Sequence, residues 1–262
     1  MNRIDERFAK MKADGRKALI TFLTVGDPNM EVSEKAIYTM QEEGVDLIDL
    51  GVPFSDPAAD GPVIQRADER ALAQGVDIFK VFELVRKIRN NVEVPMVFLL
   101  YYNVMVQYGI EKFFKRCQET GVDGLIIPDL PYEESDEIKE YTEKYGVYQI
   151  SLVSPTSKDR IKNIAKDAKG FLYCISSLSV TGEKSSFVTN FDEFVGTIKK
   201  YTDVPACVGF GVSNGRQVKE LTKYFDGAIV GSAIVKSIAT GESVEERINN
   251  LREKIKDLKS GL

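Results

Sequence analysis

Histidine is missing from this 262-residue chain altogether, and so is tryptophan. Without histidine the usual neutral-pH general base is absent, so any acid–base chemistry falls first to carboxylates. Cysteine is scarce: Cys117, Cys174 and Cys207 are odd in number, far apart and in no CxxC spacing. That pattern excludes a disulfide framework and points to a reducing cytoplasm. The stretches FLYCISS and PACVGF read as strand interiors, so the thiols are expected to be buried and structural, with no histidine to activate them. No apolar run approaches the roughly 20 residues that cross a bilayer. The N-terminal MNRIDERFAKMKADGRK is a charged amphipathic helix without the apolar centre of a signal peptide. A net charge of −5, with no basic stripe interleaved with aromatics, argues against a nucleic-acid partner. No GxGxxG follows the first apolar run, where the chain reads TVGDPN, which argues against a dinucleotide-binding sheet.

What is present is alternation. Short apolar, β-branched runs read as buried strands at Ala18–Thr24, Asp46–Leu50, Met96–Leu100, Gly124–Ile127, Tyr148–Val153, Gly170–Ile175, Ala206–Val208 and Gly227–Val230. Helical spacing fills the intervals at Val32–Glu43, Ile78–Asn90, Glu111–Thr120, Glu133–Tyr145, Lys158–Asp167, Phe191–Lys200 and Gly215–Lys223, and Val244–Leu258 ends the chain. Eight such units imply right-handed βαβ crossovers and a parallel sheet. In a chain of this length they predict a single α/β domain over residues 1–262, a (β/α)8 TIM barrel with an extra N-terminal helix. An open doubly wound sheet stays possible, because periodicity cannot show closure. One interval is long: about 45 residues separate the second and third runs. The excess is the loop PFSDPAADGP and an extra helix after strand 2, Val63–Gln74. Long loops in compact domains are usually functional, and barrel active sites are built from the loops after the strands. A second irregular stretch, residues 176–190, is polar and lid-like.

Two carboxylates stand out. Asp49, in LIDLG, occupies a strand position where a two-sided buried strand is normally apolar. Pointing into a barrel mouth, it would be desolvated, with its pKa raised toward the range useful for proton transfer. The plainer alternative is a strand-end aspartate that is solvated or paired with a lysine. Asp60 and Asp56 lie in a turn-rich loop where aspartates commonly bond their own backbone, and Asp60 before Gly61–Pro62 fits a helix N-cap. Further along, GFGVSNG and GSAIV place glycine and small residues at the junctions after strands seven and eight. Exposed N–H groups there suit a phosphate. Phe22, Leu99, Tyr101 and Tyr173 lie at strand ends where a flat apolar ligand portion would rest.

Taken together, FLTVGDP (22–28), LGVPFSDPAADGPVIQ (50–65), LIIPDLP (125–131), SVTG (179–182), GFGVS (209–213) and GSAIVK (231–236) resemble the tryptophan synthase α-subunit family over essentially the whole chain. The resemblance implies retro-aldol cleavage of indole-3-glycerol phosphate to indole and glyceraldehyde 3-phosphate. It implies no cofactor or metal in this chain, and a partner β subunit carrying pyridoxal phosphate in an α2β2 assembly. It implies Asp49 as acid and base at the ring carbon and hydroxyl, and Asp60 as acceptor of the indole N–H. Phe22, Leu99, Tyr101, Pro128, Leu152 and Tyr173 would line the indole pocket, with Thr181 in the closing loop. Gly182, Gly211, Gly231 and Ser232 would hold the phosphate, and Asp56 and Asn103 would face the β partner.

Two positions depart from the family pattern. Position 49 is aspartate where the family has glutamate, which withdraws the carboxylate by about 1.5 Å, one C–C bond. A displacement of about 1 Å can cost on the order of 100-fold in rate. A catalytically weak or inactive ligand-binding subunit is therefore the alternative to a full enzyme. Ser179 stands where the lid motif usually has glycine, and a Cβ there would stiffen the lid. Another phosphate-binding barrel, such as a phosphoribosyl isomerase, would not need the SDPxADG loop.

Overall fold

A computed structural model describes residues 1–157, 159–175, 190–209 and 211–262. In chain order the elements are α1 (Arg3–Ala13), β1 (Ala18–Thr24), α2 (Met30–Glu42), β2 (Leu47–Gly51), α3 (Pro62–Ala73), α4 (Ile78–Ile88), β3 (Met96–Leu99), α5 (Tyr102–Tyr108), α6 (Ile110–Thr120) and β4 (Gly124–Ile126). A 3-10 turn (Tyr132–Glu134) precedes α7 (Asp136–Tyr145), β5 (Tyr148–Gln149), β6 (Leu152–Val153), α8 (Ile161–Asp167) and β7 (Leu172–Ile175). The chain ends with α9 (Phe191–Lys199), β8 (Ala206–Gly209), α10 (Gly215–Leu221), β9 (Gly227–Val230), α11 (Ser232–Ala239) and α12 (Val244–Lys259).

The strands form one parallel sheet in the order β5-β4-β3-β2-β1-β9-β8-β7-β6. Its two edges are adjacent pieces of the same chain, and this closes the ring. Ile150 N donates to Leu125 O at 2.8 Å on one side, and Tyr173 N donates to Ser151 O at 3.0 Å on the other. The predicted fifth strand thus passes its hydrogen bonds from β4 to β7 midway and divides into two short pieces. The fold is a (β/α)8 barrel, not an open sheet, with α1 ahead of the first strand and a second helix after each of β2, β3 and β9.

Alternation sorts the strand residues into two cores. Outward-facing Leu19, Leu23, Ile48, Leu50 and Phe98 join the helices in one cluster. Inward-facing Ala18, Ile20, Leu47, Val97, Ile126, Phe171, Cys207 and Ile229 fill the barrel, capped from below by Ile4, Phe8 and Met11 of α1. Burying each of those three larger α1 side chains stabilises by about 1.5–3 kcal/mol, so α1 plugs the barrel floor. All three cysteines are free and buried, and burial first of all pushes each thiol up. No helix among the described residues is long and apolar enough to cross a membrane.

Candidate active site

The barrel's inward alternation decides where Asp49 points. In β2, Leu47 faces the interior and Ile48 and Leu50 face the helices, so Asp49 faces inward. It sits in register between Phe22 of β1 and Val97 of β3. It is 1% exposed, and among the described residues neither carboxylate oxygen has a hydrogen-bond partner. Burial, then the charge of Asp60, holds its pKa well above the ordinary carboxylate value, because the anion has lost water and gained nothing in return. Among the described residues no lysine pairs with it.

Asp60 is not the N-cap of α3. Gly61 takes that place, with no side-chain cap bond. Asp60 instead accepts from the Tyr101 hydroxyl at 2.8 Å, while that hydroxyl accepts from Ala59 N at 2.9 Å. Phe54 stacks on the Tyr101 ring at 5.0 Å. One phenol, itself 4% exposed, therefore fixes both the loop and the direction of its carboxylate. Burial pushes the Asp60 pKa up, with the Tyr101 bond opposing. Sequence reasoning assigned Tyr101 to the pocket wall and missed its grip on Asp60.

The remaining candidates fall around the same mouth. Phe22 and Leu99 cluster with Ile64, Ala67 and Val235. Leu152 and Tyr173 are register partners. Burial, then Asp49 and Asp60, raises the Tyr173 phenol pKa, so the tyrosine lies within electrostatic reach of both acids. Glycine is required beneath two of these rings. A Cβ on Gly51 would fall 2.5 Å from Phe22, and one on Gly209 would fall 2.7 Å from the Tyr173 hydroxyl. Gly231 is the N-cap of α11 and Ser232 its first residue; the Ile234 and Val235 amides donate to Gly231 O, which leaves the Ser232 and Ala233 amides free of helix bonds. A Cβ at Gly231 would meet Phe22 at 3.6 Å, which puts that helix end beside the aromatic wall. Gly211 follows β8 with φ +76°. Pro128 lies after β4 and lines a cavity of ≈ 650 Å³ with Leu152 and Ile175. Neither Asp49 nor Asp60 lines that cavity, which runs outward between α7 and α8. The two acids, not this cavity, are therefore the candidates for acid–base chemistry. Asp56 and Asn103 are both exposed, on two segments that Tyr101 ties together. Thr181, Gly182 and Ser179 lie outside the described residues.

A family model for the tryptophan synthase alpha chain matches residues 8–262. The chain belongs to the tryptophan synthase alpha chain family. The tryptophan synthase alpha chain of Thermoanaerobacter sp. (strain X514) is 47% identical over 262 residues, covering 100% of both chains. A solved structure from Aquifex aeolicus VF5 has a TM-score of 0.90 at 38% identity, covering 100% of this chain and 99% of that one. The aminoacrylate-bound tryptophan synthase from M. tuberculosis gives 0.88 at 32% identity, with the same coverage. For a member of this family the acids are well separated in kind. Asp49 is sealed and unpaired, and Asp60 is oriented at the loop edge. Among the described residues, no group of acids and thiols is arranged to hold a metal.

Proposed function

We propose that this chain catalyses the α reaction of tryptophan synthase, a carbon–carbon lyase step on indole-3-glycerol phosphate. The observation that carries the proposal is Asp49: an inward carboxyl, 1% exposed, with both oxygens unpartnered. Such a group holds its proton far more readily than an ordinary carboxyl and can deliver it into a dry pocket. Asp49 protonates the ring carbon that bears the glycerol chain. Positive charge then develops at the ring nitrogen, where the Asp60 carboxylate accepts the N–H and stabilises it. The Asp49 carboxylate next removes the proton from the adjacent hydroxyl. The carbon–carbon bond breaks, its electrons return to the ring, and indole and glyceraldehyde 3-phosphate leave. Asp49 ends the cycle protonated, as it began.

Phe22, Leu99, Tyr101, Pro128, Leu152 and Tyr173 are assigned to the indole, with Thr181 in the lid. Gly182, Gly211, Gly231 and Ser232 are assigned to the phosphate, where helix-end amides suit an anion. The chain acts as one domain in the cytoplasm, without a cofactor of its own. Asp56 and Asn103 face a β subunit carrying pyridoxal phosphate, which joins the indole to serine within an α2β2 complex.

The test is indole release from indole-3-glycerol phosphate by the purified chain with excess β partner. Turnover by the wild type is expected. No turnover by wild type, with activity created by Asp49→Glu, would overturn the reading in favour of a ligand-binding subunit.

A further inference from the structure

The buried face of α3 is Ile64, Ala67, Asp68 and Ala71, the i, i+3, i+4, i+7 spacing of an apolar stripe. Three members are apolar; Asp68 is a carboxyl only 4% exposed. Ile64 and Ala67 belong to the mouth cluster with Phe22 and Leu99, so Asp68 extends the face that lines the site. Burial pushes the Asp68 carboxyl up to about 8, helped by the charges of Asp60 and Asp27, with only Thr24 opposing and no cation contributing. The opposition is weak contact and not a formed bond, since the buried Thr24 hydroxyl makes no hydrogen bond of standard geometry. The charge of Asp27 is already taken by Arg70, which donates to its two oxygens at 2.6 and 2.9 Å. The elements packed most heavily on α3 among the described residues are β1, which has no ionisable side chain, and α11, whose one such residue, Lys236, is exposed. Asp68 also acts on Tyr101, the residue that aims Asp60.

A buried carboxyl with no cation costs stability, and an apolar residue would fill the stripe better. We propose that Asp68 makes this site pH-sensitive: a buried acid on the wall of the mouth whose ionisation sets a second anion beside Asp60. The proposal rests on the reaction assigned above. Once ionised, Asp68 would place a second anion beside Asp60 and repel a phosphate-bearing substrate. The ratio kcat/KM is then expected to fall as pH rises through about 8.

Two measurements on the full chain test this. In a carboxyl 13C NMR titration without substrate, one aspartate resonance should titrate near pH 8 and be missing in Asp68→Asn. In the indole-release assay from pH 6 to 9.5, kcat/KM of wild type should drop by about threefold or more by pH 9, through KM. The Asp68→Asn profile should stay flat there and match wild type within about threefold at pH 6–7. Should the asparagine variant not fold, judged by circular dichroism, Asp68→Ser serves in its place. An Asp68 resonance titrating near 4, or variant and wild-type profiles of the same shape, overturns the proposal. Failure of the reaction assignment looks different: no turnover in wild type at any pH.

Discussion

Buried aspartates occupy both ends of this barrel and live under opposite conditions. At the N-terminal end Asp46, 1% exposed, accepts from Arg7 Nη2 at 2.8 Å, Arg7 Nε at 3.1 Å and Leu19 N at 3.0 Å. Asp123, 3% exposed, accepts from Arg3 at 2.8 Å, Arg89 at 3.0 Å and Met96 N at 2.9 Å. These acids fasten α1 and the chain after α4 to the barrel floor. At the C-terminal end Asp27 is likewise held by Arg70, but among the described residues Asp49 has no partner, Asp60 has one phenol, and Asp68 has no cation. Asp46, Asp123, Asp49 and Asp68 are all buried and Asp60 is half-buried, so burial alone does not distinguish anchors from the rest; the presence of a cation does. A desolvated carboxylate held by arginine and amide groups serves as an anchor; without a cation, burial favours the protonated form of Asp49 and Asp68, while the Tyr101 hydrogen bond favours the Asp60 carboxylate.

The largest expected break in this comparison is Asp49→Asn, which removes the proton donor. Indole release should fall by roughly 10²–10⁴-fold, measured by single turnover, while the urea midpoint holds or rises. At the other end, Asp123→Asn leaves Arg89, 10% exposed, without its counter-ion. Unfolding free energy should drop by about 3 kcal/mol, with turnover per folded molecule nearly unchanged. Asp68→Asn sharpens the contrast through pH. The native carboxyl titrates near 8 against 3.8 for the ordinary group. The native state therefore binds more protons than the unfolded state across that window, and wild-type stability falls as pH rises through it. Against wild type, the variant should be no more stable at pH 4 and more stable by several kcal/mol at pH 8, each pKa unit being worth about 1.4 kcal/mol, as read from urea unfolding. The smallest effect is expected for Tyr101→Phe. Losing one hydrogen bond to a charged group should cost about 1.5 kcal/mol, near tenfold in kcat, with unfolding little changed.

Much of the fold is legible in the sequence because two-sided buried strands read as unbroken apolar runs. The alternation also places Asp49 inward without any coordinates. The fifth strand was read as one piece, since only pairing on two sides reveals that Tyr148–Val153 changes partners midway. Helix α5, YNVMVQY, is seven residues rich in aromatic and β-branched types, too short for periodicity to detect. Asp46 read as strand but precedes it, because its carboxylate binds Arg7 and the Leu19 amide. For the site, local sequence suggests an N-cap at Asp60, and a contact 41 residues away decides otherwise. No local signal could supply that tyrosine. Asp68 is different: a lone acid within an apolar stripe is visible in the sequence, but its lack of a counter-charge is a three-dimensional fact.

The central claim, that the upper acids serve chemistry and not folding, is tested most directly by Asp60→Asn, assayed for indole release at matched folded concentration. The account predicts turnover reduced by at least about 100-fold in a protein whose urea midpoint equals or exceeds that of wild type. Retained turnover in Asp60→Asn would contradict it.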